Sequence, residues 1–477
     1  MKYEVTIGLE VHCELSTTSK VFSGAPNTYD AKPNNNISAI DLAFPGIMPV
    51  VNIEAVKKAL KMAMALNCEL PNEITFDRKN YYYPDLPKGF QLTQMHKPVG
   101  INGYLDIYVE DEVKRITIHD SHLEEDTASL DHYDDYSLID YNRAGIPLLE
   151  TVTEPCIHSA EEAVAFLESL RRIFLYCGVS EAKTDKGQMR CDVNVSLAPT
   201  GSKTLGTKVE MKNINSFNNV KEAILYEIKR QSEILDKGEQ VVMETRRFDD
   251  VKLKTTRMRS KVEAIDYKYF IEPNIPPIKL NKEFLDEIKA SIPILPFERA
   301  NLYVDKYRLT RYDANIIVKD KKIAEYFETC LESKIDPQII ANWINTRVIG
   351  YLSKYEIDID SFFLNPEFLI ELLTFIEKGT ISSKQAKDIF YQCLEEKKMP
   401  NTIIKENNME QITDEDSVRN MILEVIEENK KTALEYNPEK GRMLDFFVGQ
   451  LMKKTKGKAN PSLAVKLFKE ELDKLKK

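Results

Sequence analysis

The sequence predicts an α+β protein, with an antiparallel-sheet domain followed by all-helical domains. Three observations carry that expectation. Residues 1–290 alternate apolar and polar side chains in short runs broken by turn clusters, the pattern of half-buried strands. The segment Glu272–Leu280 is punctuated by Pro273, Pro276 and Pro277, and Pro293 and Pro296 follow it, which marks a boundary. Beyond residue 296 apolar residues recur at helical spacing and glycine is sparse.

The elements follow in order. The N-terminal run MKYEVTIGLEVH alternates from its start. PNNN (Pro33–Asn36) and YYYPDLPKGF (Tyr81–Phe90) are turn-forming. Amphipathic helices are expected over His158–Cys177 and Asn219–Leu235. In the second half, ANWINTRVIGYL (Ala341–Leu352) and PEFLIELLTFIEKG (Pro366–Gly379) have helical periodicity, and a break is expected near residues 398–415. Asn460–Lys477 forms a closing helix with Asn-Pro at its head. The expected domains are 1–292, 293–405 and 406–477. No internal repeat is present.

Bulk properties bound the function. The chain has 477 residues and a net charge of −10. That balance argues against bulk nucleic-acid binding. Residues 451–477 carry nine lysines and three acids, a net of +6, leaving −16 on residues 1–450. A basic tail on an acidic body can meet phosphate in one place. No apolar run approaches the roughly 18 residues of a membrane span, and the N-terminus lacks a signal-peptide core, so a cytoplasmic location is expected. The seven cysteines include no C-x-x-C pair, which argues against structural zinc and for reduced thiols.

The familiar phosphate loops, dinucleotide fingerprints, nucleophile elbows and H-E-x-x-H zinc motifs are absent. Four strand-like segments carry chemistry instead. IGLEVHCEL places Glu10, His12 and Glu14 opposite Leu9, Val11, Cys13 and Leu15. RCDVNVSL places Arg190, Asp192, Asn194 and Ser196 on one face. TKVEMKN does the same with Lys208, Glu210 and Lys212. RITIHDSHLEED runs from a short strand into His122, Glu124, Glu125 and Asp126. One reading is a solvated polar face. The other is a carboxylate cradle for Mg²⁺ and ATP, since several acids on one face repel each other unless a cation sits among them. Lys79, Lys88, Arg143, Arg190, Lys208, Lys212, Arg257 and Arg259 are candidate neutralisers of phosphate. Two prolines bracketing Asp85 and Leu86 stiffen the loop that carries Lys88.

Longer blocks resemble the GatB family. They include IGLEVHCELSTTSKVFSGAP (Ile7–Pro26), YYYPDLPKGFQLTQ (Tyr81–Gln94), HLEEDTASL (His122–Leu130) and DYNRAGIPLLETVTEP (Asp140–Pro155). MRCDVNVSL (Met189–Leu197), GTKVEMKNINSF (Gly206–Phe217), ETRRFD (Glu244–Asp249) and MRSKVEAIDYKYFIEPNIPP (Met258–Pro277) follow, then ANWI (Ala341–Ile344) and GKANP (Gly457–Pro461). The blocks keep the family's order over nearly the whole chain. Departures are Lys186 in TDKGQMR, Cys156, and the residue Ile265 before Asp266.

The resemblance implies a cradle fold related to glutamine synthetase and guanido kinases, followed by helical domains. It implies the GatB component of a tRNA-dependent amidotransferase, a glutamine-hydrolysing carbon–nitrogen ligase. That enzyme phosphorylates the side-chain carboxylate of Glu-tRNA(Gln) or Asp-tRNA(Asn) with ATP and Mg²⁺. It works with an amidase subunit, GatA, and a small subunit, GatC. Strand placement and resemblance together give the candidate catalytic residues Glu10, His12, Glu124 and Glu125, and the candidate metal ligands Glu10, His12, Glu125, Asp192 and Glu210. Arg190, Lys208, Lys212, Arg257 and Arg259 are the phosphate candidates. Lys79, Tyr81, Lys88 and Asp185 are candidates for an ammonia path, and Lys453, Lys454, Lys456 and Lys458 for tRNA contact. The alternative of another class is a non-catalytic tRNA-binding adaptor in the same complex. The sequence leaves the choice between Glu-tRNA and Asp-tRNA open.

Overall fold

The computed structural model describes residues 2–109, 112–214, 216–260, 266–407, 414–434, 436, 442–455 and 458–475. The chain divides into two compact units, Met1–Arg299 and Ala300–Lys477.

In the first unit the strands are β1 (Tyr3–Glu14), β2 (Glu73–Ile74), β3 (Asp77–Asn80), β4 (Phe90–Thr93), β5 (Gly100–Val109), β6 (Glu112–Glu125), β7 (Ser129–His132) and β8 (Ser137–Asp140). They continue with β9 (Pro147–Thr153), β10 (Met189–Pro199), β11 (Val209–Ile214), β12 (Glu244–Asp249), β13 (Lys254–Ser260), β14 (Phe270–Ile271) and β15 (Ile278–Lys279). Eight of them form one sheet in the order β13-β12-β11-β10-β1-β9-β6-β5. All neighbours are antiparallel except β11 and β12, which run parallel. The expectation of a wholly antiparallel sheet therefore needs correction at that pair. A parallel pair requires a crossover, and the helix α3 (Phe217–Asp236) between them supplies it. A small sheet, β14-β3-β4, stands beside the large one.

Alternation decides which side of the sheet is covered. Ile7, Leu9, Val11 and Cys13 of β1 are essentially inaccessible. They share one core with Val193 and Val195 of β10 and with Phe166, Leu167 and Leu170 of the helix α2 (Ala160–Cys177). Helices α1 (Ile53–Ala65), α2 and α3 contribute to that core, and α4 (Lys282–Ala290) joins it through Ile288. Their starts are set by side-chain caps: Asn52, Ser159, Ser216 and Asn281 each accept a first-turn backbone N–H. Glycine ends α2, with Gly178 in the left-handed region at φ 64°. The opposite side of the sheet carries the acids and histidines. β6 is one continuous strand through Glu125, longer than the short strand expected over this segment.

In the second unit every named element is helical. Two apolar clusters occupy it. One is built from residues between Ala300 and Ile404, and the other from residues between Val418 and Leu472. Residues 408–413, inside the expected break, lie outside the described residues. No helix among the described residues is long and apolar enough to cross a membrane. All seven cysteines are free thiols.

Candidate functional site

Five neighbouring strands bring the site together. β1 pairs with β10 so that Glu10 faces Asp192 and His12 faces Arg190. β9 lies on the other side of β1 and sets Glu150 against His12, and β6 sets His122 against the same Glu150. β11 brings Glu210 level with Asn194.

Two groups result. In the first, Glu150 Oε2 lies 3.2 Å from His12 Nε2 and 3.0 Å from His122 Nε2. Glu124 Oε1 lies 3.7 Å from His12 Nε2, and Thr93 donates to its other oxygen at 3.2 Å. His122 Nδ1 is 2.6 Å from Asp120 Oδ1, which fixes the ring. Ligand atoms of His12, Glu124 and Glu150 fall within 4.8 Å of one another.

The second group is Glu10, Asp192 and Glu210, within the same 4.8 Å. Asn194 Nδ2 donates to Glu10 at 2.9 Å, and Thr245 Oγ1 donates to Glu210 at 2.8 Å. Lys212 Nζ lies 2.7 Å from Asp192 and 3.0 Å from Glu210.

The electrostatics reflect crowding. Burial disfavours a charged His12, but the Glu150 and Glu124 carboxylates outweigh it and lift the ring to about 9. His122 is lifted well above its ordinary value against burial, chiefly by Glu150 and Asp120. Glu150 is held well below the carboxylate range in spite of burial, because two imidazoles face it. Burial and repulsion from Glu150 raise Glu124, and burial with Glu150 and Asp192 raises Glu10. Acids gathered at such spacing favour a bound cation.

Not every sequence candidate joins these groups. Glu125 follows Glu124 in the same strand and so points to the other side of it. Its carboxylate accepts from Leu92 N at 2.9 Å and from Lys88 Nζ at 2.5 Å. Arg190 is tied to Asp126 at 2.8 Å. Lys208 stands exposed at the rim of a cavity beside Glu10. Arg257 lies 3.2 Å from Glu244. Glu244 shares Arg230 and Arg246 with the fully buried Glu227 of α3, on the covered side of the sheet. Arg259 pairs with Thr245 by register, and its side chain lies outside the described residues.

Lys79 faces the first group: burial opposes its charge and Glu124 restores it, so its pKa is raised. Its Nζ lies 5.2 Å from the Tyr267 ring centroid, and burial raises Tyr81 beside Asp85 and Glu124. Asp185 is exposed in a turn. Lys453, Lys454 and Lys458 are exposed, and Lys454 bridges Glu424 at 2.7 Å and Glu428 at 2.9 Å. Lys456 and Ile265 lie outside the described residues.

Sequence reasoning did not place Glu150 or His122 among the catalytic or metal-binding candidates. His122 was visible as a polar residue in an alternating run. Glu150 is the one acid in PLLETVT, a strand buried at its other positions except Val152, and an isolated acid there is the signal that marks it.

Fold and site define a class: an α+β protein that displays two acid-rich groups on the uncovered face of a mostly antiparallel sheet, with a helical C-terminal unit. A family model described as the GatB/GatE catalytic domain matches residues 5–286, and one described as the GatB domain matches residues 325–472. The B subunit of the aspartyl/glutamyl-tRNA(Asn/Gln) amidotransferase from Geobacillus thermodenitrificans is 46% identical over 475 residues, 99% of this chain and 100% of that protein. The B subunits of the same enzyme from Persephonella marina and Staphylococcus saprophyticus are each 46% identical over 99% of this chain and their own full length. The chain belongs to the GatB family.

Proposed function

We propose that this chain is the B subunit of a tRNA-dependent amidotransferase and that its open sheet face activates the side-chain carboxylate of Glu-tRNA(Gln), Asp-tRNA(Asn) or both. The reading is supported by one observation above the others: two acid-rich groups stand side by side on one face of the sheet, joined at β1 through Glu10 and His12. Relatives nearly half identical along their full length, each named as the B subunit of such an amidotransferase, support the same reaction.

A carboxylate resists attack by ammonia because its leaving group is oxide. Transfer of the γ-phosphoryl group of ATP to a carboxylate oxygen supplies phosphate as the leaving group. Ammonia then attacks the acyl carbon, and phosphate departs. The donor set fits Mg²⁺, which prefers oxygen ligands: Glu124 and Glu150 with His12 on one side, Glu10, Asp192 and Glu210 on the other. When bound, the cation neutralises charge on the carboxylate and phosphate oxygens. The chain's own groups orient these ligands. Asn194 holds Glu10, Thr245 holds Glu210, Thr93 holds Glu124, and Asp120 holds His122. Lys212 is placed to meet phosphate oxygens from beside Asp192.

Ammonia comes from a GatA-like amidase, with a GatC-like small subunit completing the complex. Lys79, Tyr81 and Lys88, which gather near Glu124 and Glu125, line its path in this reading. The tail lysines contact the tRNA.

ATP hydrolysis that depends on Glu-tRNA or Asp-tRNA is the test. Glu10→Gln and Glu124→Gln should each abolish it while circular dichroism stays unchanged. Near-normal turnover in both variants would return the chain to the role of tRNA-binding adaptor.

A further inference from the structure

Three adjacent strands set one row across the open face, in which His12 of β1, Glu150 of β9 and His122 of β6 stand level with one another. Two imidazoles therefore flank one carboxylate. Both reach the same oxygen, Glu150 Oε2, which is 3.2 Å from His12 and 3.0 Å from His122. The two rings are not equivalent. The atoms that close to within 4.8 Å as a candidate cation pocket come from His12, Glu124 and Glu150, and His122 is not among them.

His122 is instead anchored from behind. Asp120 stands two residues earlier in β6 and so on the same face. Its Oδ1 is 2.6 Å from His122 Nδ1. An ionised carboxylate only accepts hydrogen bonds, so a ring with a carboxylate at each nitrogen donates at both. Asp120, His122 and Glu150 thus form one chain of bonds. None of the three side chains is more than 22% exposed, which leaves water little room to compete for them.

A carboxylate has about four lone-pair sites. One fixed donor on Oε2 sets the plane of Glu150 and leaves acceptor capacity for a cation. A nitrogen that ligates a cation cannot donate a hydrogen bond as well, so His12 has to release Glu150 on cation binding. His122 does not, because it has no place in the pocket.

We propose that His122, anchored by Asp120, is a positioning residue that holds Glu150 for the cation through a hydrogen bond and is not itself a ligand. This rests on the cation reading above and gives the two histidines separate duties. Outer partners that orient a ligand are typically worth about ten- to a hundredfold in metal affinity.

The test uses the full chain and Mn²⁺ alone, which suits carboxylate sites as Mg²⁺ does and is read by electron paramagnetic resonance. Nitrogen modulation in the pulsed spectrum counts coordinated imidazoles. The Glu10–Asp192–Glu210 group contains no imidazole, so the nitrogen signal reports the other group alone. Wild type should show one coordinated imidazole, and His12→Gln should remove it. His122→Leu, which deletes the donor, should weaken binding of the nitrogen-coupled ion about tenfold or more, while the modulation persists at saturation. His122→Gln, whose amide nitrogen can take the place of Nε2, should restore most of the affinity. Asp120→Ala should weaken binding too, and combining it with His122→Leu should add little, since the pair acts as one unit. Circular dichroism identifies the folded variants, and Asp120→Ala carries the same test should His122→Leu not fold. Unchanged affinity in the folded variants overturns the proposal. Loss of the nitrogen signal in His122→Leu overturns it by making His122 a ligand. Failure of His122→Gln to recover affinity overturns it by removing the hydrogen bond as the cause. Wild-type chain that binds no Mn²⁺ overturns the cation reading itself, and this inference with it.

Discussion

Replacing Glu150 with glutamine should release the strongest electrostatic tie in the site. Glu150 Oε2 is shared by His12 at 3.2 Å and His122 at 3.0 Å. The His12 ring is lifted from 6.5 to about 9 although burial opposes its charge, and Glu150 is the largest of the carboxylates that lift it. At about 1.36 kcal/mol per pKa unit, that gap is roughly 3 kcal/mol of preference for the charged ring. A raised folded-state value means that this stability is fully present below the unfolded pKa of about 6.5 and is lost as pH rises through about 9. The metal-free protein in EDTA should therefore lose up to about 3 kcal/mol from this source between pH 6 and pH 9.5. In Glu150→Gln most of that slope should vanish, since only Glu124 and Asp192 remain to hold the proton on His12. Urea unfolding at both pH values, run on wild type and variant, reads His12 together with His122, because Glu150 lifts both rings. Nitrogen-15 titration of the imidazoles separates His12 from His122. A His12 pKa near 9 in the variant would refute the argument, as would parallel pH profiles.

Two further outcomes follow from the placement of lysines. Lys454 is already paired with Glu424 and Glu428, so Lys453→Ala and Lys458→Ala should each reduce the salt slope of tRNA binding by up to about 0.9, and Lys454→Ala by less; equal effects of all three, in filter binding across a salt series, would count against it. Lys88→Met removes the partner of buried Glu125 at 2.5 Å and should depress glutamine-driven amidation more than ammonium-driven amidation, whereas an equal fall in both rates would take Lys88 off the ammonia path.

The sequence made the local half of this structure readable. Period-two alternation in β1, β10 and β11 places Leu9, Val193 and Met211 in the core and their polar neighbours on the open face, and each of those three is inaccessible. Alternation also separates Glu124 from Glu125, a consequence that grouping both as site acids passed over. What lay beyond reading was non-local. Glu150 joins His12 and His122 only because β9 inserts between β1 and β6, and nothing in a seven-residue apolar strand announces its neighbours. Arg257 pairs with Arg246 across an irregularity at Thr245/Arg246. A one-residue slip in register reverses the face of every later side chain, so composition alone could not assign its side. Lys454 resembles its neighbours in the basic tail until the fold brings Glu424 and Glu428 to it.

The open face also explains why β1 contains a residue that suits a strand poorly. A sheet with helices on one side normally gains by filling its remaining positions with β-branched or aromatic side chains. Here the row keeps a glycine where open space remains above it, and sets Glu10 where burial and neighbouring acids together raise its pKa. Both choices cost stability in the isolated chain, and neither improves the core, which lies on the other side. Local rules broken at nearby positions of one strand, Gly8 and Glu10, point to a surface shaped for what it receives. The partners that soften the cost are placed accordingly. Asn194 commits its amide to Glu10 and leaves its oxygen without a partner among the described residues, and Lys212 neutralises Asp192 and Glu210 from the rim.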